Sequence, residues 1–154
     1  MVFLKTRAPA FIMAAFALCL LVAPLRAEQM ARVYAPDGIA LSGYDAVAYF
    51  TQGRPVRGQP EFSLRWHGAI WYFSTPEALM HFEMNPAAYA PQFGGYCTYS
   101  VSLGDPKSGA PDAFFLQDGR LFLLHRAALL QELHGQLSKI VARARYNWPE
   151  VLGR

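Results

Sequence analysis

The stretch Tyr89-Ala-Pro-Gln-Phe-Gly-Gly-Tyr-Cys-Thr-Tyr-Ser-Val-Ser102 decides how the rest of the chain is interpreted. Its adjacent glycines, Gly94 and Gly95, permit a backbone turn in which a Cβ atom would clash. Cys97 follows directly and is surrounded by aromatic residues. Periodicity does not separate a strand from a helix over so few residues, and we favour a helix that starts near Gly95. In either case Cys97 and its aromatic neighbours form the first candidate site.

The first 27 residues have the organisation of a secretory signal peptide. Lys5 and Arg7 form a basic region, and residues 11–22 form an apolar core that is too short to span a bilayer comfortably. Ala27 is a small residue suited to the cleavage position, so we predict cleavage there and export to the periplasm or the medium. An uncleaved membrane anchor is the alternative. Lipidation at Cys19 is not expected, because the preceding residue is too large.

Charge and cysteine content exclude some classes of function. The chain holds 14 basic and 11 acidic residues, and three of the basic ones lie in the predicted signal peptide. The remaining chain therefore balances 11 basic against 11 acidic residues and has no Lys/Arg run, so nucleic acid is not an expected partner. Cys97 is the only cysteine after residue 27, which excludes an intramolecular disulfide. Its thiol is then buried, a ligand, or reactive.

The hydrophobic patterning predicts an α+β domain with a small antiparallel sheet. Residues 39–50 favour an extended segment. Residues 61–74 predict a hairpin around His67-Gly68, with Trp71 and Tyr72 on opposite faces. Residues 113–124 predict a second hairpin around Asp118-Gly119, the strongest hairpin signal in the chain.

About three helices are expected around this sheet, the longest at the C-terminus. Ser74 or Thr75 caps the first, which starts at Pro76 and ends at Asn85-Pro86, and a short helical turn follows. Apolar residues three or four apart predict a long helix from His125 that stops at Tyr146-Asn-Trp-Pro149. We find no internal repeat in the sequence. The predicted core joins Trp71, Phe73, Phe82, Tyr89, Phe93, Phe115 and Leu133.

Several segments resemble the exported bacterial YHS domain proteins. They are Gly43-Tyr-Asp-Ala-Val-Ala-Tyr-Phe50, Trp66-His-Gly-Ala-Ile-Trp-Tyr-Phe-Ser74, Asn85-Pro86 through Cys97, and the closing Asn147-Trp-Pro149. The resemblance spans residues 39–149. With it, the chain divides into a signal peptide (1–27), an N-terminal arm (28–38), a YHS-like domain (39–149) and a C-terminal tail (150–154).

The resemblance also implies metal binding, but this chain lacks the cysteines through which the relatives are regarded as binding metal. Shorter relatives, such as the modules of copper-transporting ATPases and the TRASH-type domains, are regarded as metal-binding through cysteines. Those cysteine positions fall on Ala48, Ser74 and Ala78 in this chain. None of the three supplies a thiolate, and a structural zinc site needs four ligands, so zinc is not expected.

Two sets of candidate site residues remain. For a soft metal ion such as copper, Cys97 is the first candidate ligand. His81 and Met84 are further candidate ligands, because they lie three residues apart on one helix and can face the same direction. The alternative is that the methionines fill the core and His81 is solvated. We also predict a ligand-binding set in which Tyr44, Asp45, Tyr96 and Cys97 lie together at one edge. These groups either satisfy one another or hold a ligand, because unpaired buried polar groups are costly.

The function predicted from the sequence is an exported, small binding module for a metal ion or small ligand. One alternative is an accessory domain that docks to a protein partner with Cys97 buried, and another is an enzyme that uses Cys97 as a nucleophile. No phosphate-binding loop, nucleophile elbow or His-x-x-x-His pair is present, which argues against catalysis. The remaining histidines, His67, His125 and His134, are interpreted as turn, capping and surface residues. No stable membrane insertion is expected after cleavage.

Overall fold

The computed structural model describes residues 30–153, so the predicted signal peptide lies outside the described residues. This range folds as an α+β domain, as predicted. The hairpins form two separate antiparallel sheets of two strands each. None of the helices in this range combines the length and the apolarity needed to cross a membrane. The elements are α1 (Ala48–Thr51), β1 (Gln59–Trp66), β2 (Ala69–Phe73), α2 (Pro76–Met84), α3 (Pro86–Tyr89), α4 (Thr98–Ser102), β3 (Ala110–Gln117), β4 (Arg120–Leu124), α5 (Ala128–Glu132) and α6 (Leu137–Leu152).

The two predicted hairpins are confirmed. β1 pairs with β2 and β3 pairs with β4, in both cases antiparallel. The turns His67-Gly68 and Asp118-Gly119 have positive φ at both central residues, which matches the right-handed twist of the flanking strands. Trp71 is buried whereas Tyr72 is half-buried, as expected for neighbours on opposite faces of a strand.

Residues 39–50 do not form the extended segment that their composition predicts. They form a turn with left-handed residues at Ala40–Gly43 and then the short helix α1. The reason is the side chain of Asp45, whose Oδ1 accepts hydrogen bonds from the N–H groups of Val47 and Ala48 at 2.8 and 3.3 Å. A local bond from a side chain to the backbone thereby overrides the β propensity of the segment.

The predicted C-terminal helix is divided, and its predicted stop is wrong. α5 and α6 are separate because the chain turns at Gly135, which has a φ of 79°. α6 then continues through Pro149 to Leu152. Proline removes one hydrogen bond from a helix, yet the last turn is retained and buries Val151. Residues 150–152 are therefore part of the helix that closes the domain.

Within residues 30–153, the core consists of three apolar clusters rather than one. The first joins the first hairpin to α2 through residues such as Trp71 and Phe82. The second lies under α6 around Phe93, and the third surrounds Cys97. All seven predicted core residues belong to one of these clusters, as buried or partly buried members. The predicted side chains are correct, and the first cluster also includes Leu121 and Leu123 of β4, so it joins the two sheets.

The division into two sheets reflects a repeat of the backbone that the sequence did not reveal. We call residues 40–84 the first half and residues 92–132 the second half. Each half has a turn with left-handed residues, a short helix, a hairpin and a following helix, in that order. Gln59 pairs with Phe73 in the first hairpin, and Ala110 pairs with Leu124 in the second, 51 positions later in each case. Both ladders shift register directly after this pair, so even the irregularity is repeated.

The backbone hydrogen bonds of the segments that precede the two hairpins in the chain are repeated as well. The N–H of Gly58 donates to the carbonyl of Gly43 at 2.9 Å, and the N–H of Gly109 donates to the carbonyl of Gly95 at 3.1 Å. Two residues after Gly43 and Gly95, the N–H groups of Asp45 and Cys97 each donate to a backbone carbonyl at 2.8 Å. Asp45 and Cys97 therefore occupy equivalent positions in the two halves. Ser74 and His125 do so too, because each directly follows the second strand of its hairpin.

Candidate functional site

In the first half, Asp45 and Ser74 occupy the repeated positions and form a closed polar cluster. The side chain of Asp45 is 0% exposed. Its Oδ2 accepts hydrogen bonds from the N–H and the hydroxyl of Ser74 at 2.9 and 2.6 Å, while its Oδ1 accepts the two bonds that start α1. A buried carboxylate with four donors has no acceptor capacity left for a ligand. Asp45 therefore ties α1 to the end of β2 and has a structural role.

In the second half, Cys97 takes the place of Asp45 and leaves the cluster open. Its N–H donates to the carbonyl of Lys107, and its carbonyl accepts from the hydroxyl of Ser100 and the N–H of Val101, all at 2.8 to 2.9 Å. These bonds use the backbone of Cys97, and the residue is 1% exposed. The predicted helix starts at Thr98, so Cys97 precedes its first turn.

A pocket of about 240 Å³ lies beside Cys97. His125 lies at the end of β4 and is exposed, at the position that Ser74 holds in the first half. A thiol and an imidazole thus replace the carboxylate and hydroxyl that close the first half. The pocket is lined by Cys97, Tyr99, Ser100, Leu103, Asp105, Lys107, His125, Arg126 and Leu129.

The charged residues around this pocket are paired with one another. The Nζ of Lys107 lies 3.6 Å from the Oδ2 of Asp105. Arg126 donates two hydrogen bonds of 2.7 Å to the carboxylate of Glu132 and so forms a bidentate ion pair. The hydrogen bond from Arg126 lowers the pKa of Glu132. Because these side chains are exposed, the pairs contribute little to stability. The rim of the pocket therefore carries compensated charge, and the thiol and imidazole are its distinctive chemical groups.

Thr98, next to Cys97, holds an unsatisfied polar atom. Its side chain is 0% exposed, and its Oγ1 has no hydrogen-bond partner within residues 30–153. By contrast, the hydroxyl of Ser100, two residues later, donates to the carbonyl of Cys97 at 2.8 Å and accepts from the N–H of Lys107 at 2.9 Å. The backbone around Cys97 is therefore held by Ser100 and not by Thr98.

The four residues of the predicted ligand-binding set form two equivalent pairs, one in each half, and the two pairs have different partners. Tyr44 is half-buried and its ring lies 4.2 Å from the guanidinium of Arg57, while its neighbour Asp45 bonds to Ser74. Tyr96 packs edge-on against Tyr34 at 5.3 Å between ring centres, and burial raises the pKa of Tyr96. Of the four residues, only Cys97 lines the pocket described above.

The other two predicted copper ligands lie elsewhere. His81 and Met84 are on the exposed side of α2, and Met84 is 76% exposed. The buried side of α2 packs into the first apolar cluster, whereas Cys97 belongs to the third. Neither side chain lines the pocket beside Cys97. Over residues 30–153, no group of three or more His, Cys, Asp or Glu residues is placed to hold a metal ion.

His125 is the site residue that the sequence analysis missed. Its position relative to Cys97 follows from the backbone repeat, and that repeat joins segments of different sequence. One signal was present: Gly43-Tyr44-Asp45 and Gly95-Tyr96-Cys97 share a glycine and a tyrosine before the polar residue. The tripeptides are 52 positions apart and the turns His67-Gly68 and Asp118-Gly119 are 51 apart, so an alignment with a one-residue gap would have paired Ser74 with His125.

Comparisons with protein-family models, with curated proteins and with solved structures found no match to this chain. The resemblance to YHS domain proteins therefore stays a prediction from the quoted motifs.

Proposed function

We propose that the chain is an exported, YHS-type binding module that holds a soft metal ion, such as Cu(I), in the pocket beside Cys97 and His125. One observation carries this proposal. The first half closes the repeated position with a carboxylate and a hydroxyl that bond to each other. At the same position, the second half has Cys97 and His125, and both residues line a pocket.

The types of donor decide between metals. A thiolate and an imidazole suit Cu(I), which accepts few and soft ligands. Structural zinc does not fit, because it needs four ligands and residues 30–153 present no group of even three. Cys97 would hold the ion through sulfur and His125 through a ring nitrogen. Both donors must be deprotonated to bind, so the affinity falls as the pH falls.

An anaerobic Cu(I) titration against a chromogenic competitor tests the proposal. We expect Cys97→Ser to abolish high-affinity uptake and His125→Gln to weaken it at least roughly tenfold, a loss of about 1.4 kcal/mol. His134→Gln is the matched control, because His134 is exposed and does not line the pocket. The proposal fails if the unaltered protein takes up no Cu(I) or if Cys97→Ser binds it equally well.

A second candidate is an accessory domain that docks to a protein partner with Cys97 buried. The 1% exposure of Cys97 favours it. A thiol that stays unreactive toward a disulfide reagent in the folded protein, together with no Cu(I) uptake, would support this role. Rapid reaction without Cu(I) uptake would instead support a thiol enzyme in which His125 serves as the base.

Export is the part of the proposal that concerns the N-terminal segment. The basic, apolar and small-residue order of residues 1–27 supports removal of the segment after Ala27. The intact mass of the protein recovered from the periplasm or the medium should then correspond to a chain that begins at Glu28. A full-length species in the membrane fraction would contradict it.

A further inference from the structure

The three tryptophans of the chain line one groove, separate from the pocket beside Cys97. Two cavities of about 440 and 110 Å³ share four lining residues and are lobes of this groove. We call it the tryptophan groove. The shared residues are Trp66, Ala90, Pro91 and Trp148; the larger lobe adds Arg145 and Pro149, among others, and the smaller adds Arg32, His67 and Trp71.

Among residues 30–153, the lining of the tryptophan groove carries positive charge in both lobes and includes no carboxylate. Arg145 lies in the larger lobe and Arg32 in the smaller one, and both side chains are exposed. Neither has an ion-pair partner among residues 30–153. Two unpaired cations in different lobes favour an elongated ligand with at least two negative charges over a small single acid.

Apart from its charged residues, the lining of the groove is mostly aromatic and apolar. Trp66 is held edge-on against Trp71, and Trp148 against Phe93, with ring centres 5.6 Å apart in both pairs. Within residues 30–153, the other hydrogen-bonding side chains of the lining are His67, Gln92 and the indole N–H groups of the tryptophans. An acidic sugar chain would leave most of its hydroxyls unpaired here, which is costly. Proline-containing peptides in the extended polyproline conformation need few such partners and pack on aromatic grooves.

We infer that the tryptophan groove binds an extended segment of a partner protein that contains prolines and acidic side chains. Its proline rings pack against Trp66 and Trp148, while its carboxylates pair with Arg145 and Arg32. The inference does not depend on metal binding, because the groove and the pocket beside Cys97 share no lining residue.

Intrinsic fluorescence reports on this groove directly, because it contains every tryptophan of the chain. The purified protein is titrated with acetyl-Pro-Pro-Glu-Pro-Pro-Glu-Pro-amide and with the same peptide carrying Lys in place of Glu. We expect a saturable change with the acidic peptide alone. Arg145→Ala should weaken binding roughly tenfold through loss of a charge-assisted pair. Arg143→Ala is the matched control, since Arg143 is exposed on the same helix but outside the lining.

A second variant, Arg32→Ala, tests the other lobe and should weaken the acidic peptide in the same direction. The inference is overturned by equal binding of the two peptides, or by equal affinities of the Arg145→Ala and Arg143→Ala proteins. It is also overturned if the acidic peptide gives no saturable change up to millimolar concentration. Binding of an oligogalacturonate without binding of the peptide would assign the groove to acidic sugars instead.

Discussion

Asp45 shows what a single residue contributes to this fold. Its carboxylate accepts four hydrogen bonds from two segments and is fully buried. We expect Asp45→Asn to lower the free energy of unfolding by roughly 2–3 kcal/mol, because an amide has one acceptor and leaves buried donors unpaired. Urea unfolding followed by circular dichroism measures this loss. Asp37→Asn is the control at an exposed carboxylate, and equal losses in the two variants would contradict the structural role of Asp45.

Replacement of Thr98 should stabilise the protein, whereas replacement of Asp45 should destabilise it. The Oγ1 of Thr98 is buried without a partner in the described part of the chain. Burial of this hydroxyl therefore destabilises the folded state, and no hydrogen bond compensates for it. Thr98→Val keeps the shape of the side chain and should raise the free energy of unfolding by about 1 kcal/mol. Ser100→Ala should lower it, because that hydroxyl makes two bonds to the backbone around Cys97. A Thr98→Val protein that unfolds as easily as Ser100→Ala would disprove the assignment.

At the scale of elements, the N-terminal arm depends on a glycine. Tyr34 donates its N–H to the carbonyl of Gly94 at 2.9 Å, and a Cβ at Gly94 would overlap the backbone of Arg32. Gly53 has a similar φ, 64° against 61°, but open space around it. Both substitutions by alanine carry the strain of a left-handed residue, so their difference isolates the contact with the arm.

We expect Gly94→Ala to destabilise the protein by roughly 1–3 kcal/mol more than Gly53→Ala, as overpacking of a close contact does. Thermal unfolding of the two variants gives the comparison. Faster amide exchange of residues 32–34 in the Gly94→Ala protein would identify the displaced segment. Equal melting temperatures would mean that the arm does not need the close approach to Gly94.

The elements that the sequence predicted are those fixed by local chemistry. Asp118-Gly119 sets the second hairpin, and the side chain of Thr75 caps α2 by accepting from the N–H of Ala78 at 3.1 Å. The segment that it predicted wrongly combines local contacts with a distant one. In residues 39–50, Asp45 bonds to Val47 and Ala48 nearby and also to Ser74, 29 positions away. The same limit applies to the site, where Cys97 was recognised but His125 was not.

At the scale of the whole molecule, a hydrogen bond joins the two halves. The hydroxyl of Tyr49, a buried residue of α1, donates to the carbonyl of Pro111 on β3 at 2.9 Å. Burial raises the pKa of Tyr49 above its ordinary value of 10.0. The folded protein therefore holds this tyrosine neutral at pH values where the unfolded chain ionises it. The stabilisation is complete below pH 10 and is lost progressively as the pH rises above it.

Tyr49→Phe removes both the bond and this pH dependence. We expect a loss of about 1 kcal/mol near neutral pH, from the missing hydrogen bond. Between pH 9 and about pH 11, the variant should lose less stability than the unaltered protein. Denaturant unfolding at several pH values measures both effects, with Tyr146→Phe as the control at an 86% exposed tyrosine. Parallel pH profiles of the unaltered protein and the Tyr49→Phe variant would show that Tyr49 ionises alike in the folded and unfolded states.

The backbone repeat gives the whole molecule its division of roles. The first half uses its repeated position to close the fold with Asp45 and Ser74. The second half places Cys97 and His125 at the same position beside an open pocket. X-ray absorption at the copper edge of the Cu(I)-loaded protein tests this division most directly. We expect one sulfur and one imidazole nitrogen bound to copper, with the imidazole lost in His125→Gln and retained in His134→Gln. A copper environment without protein sulfur, or one that His125→Gln leaves unchanged, would contradict it.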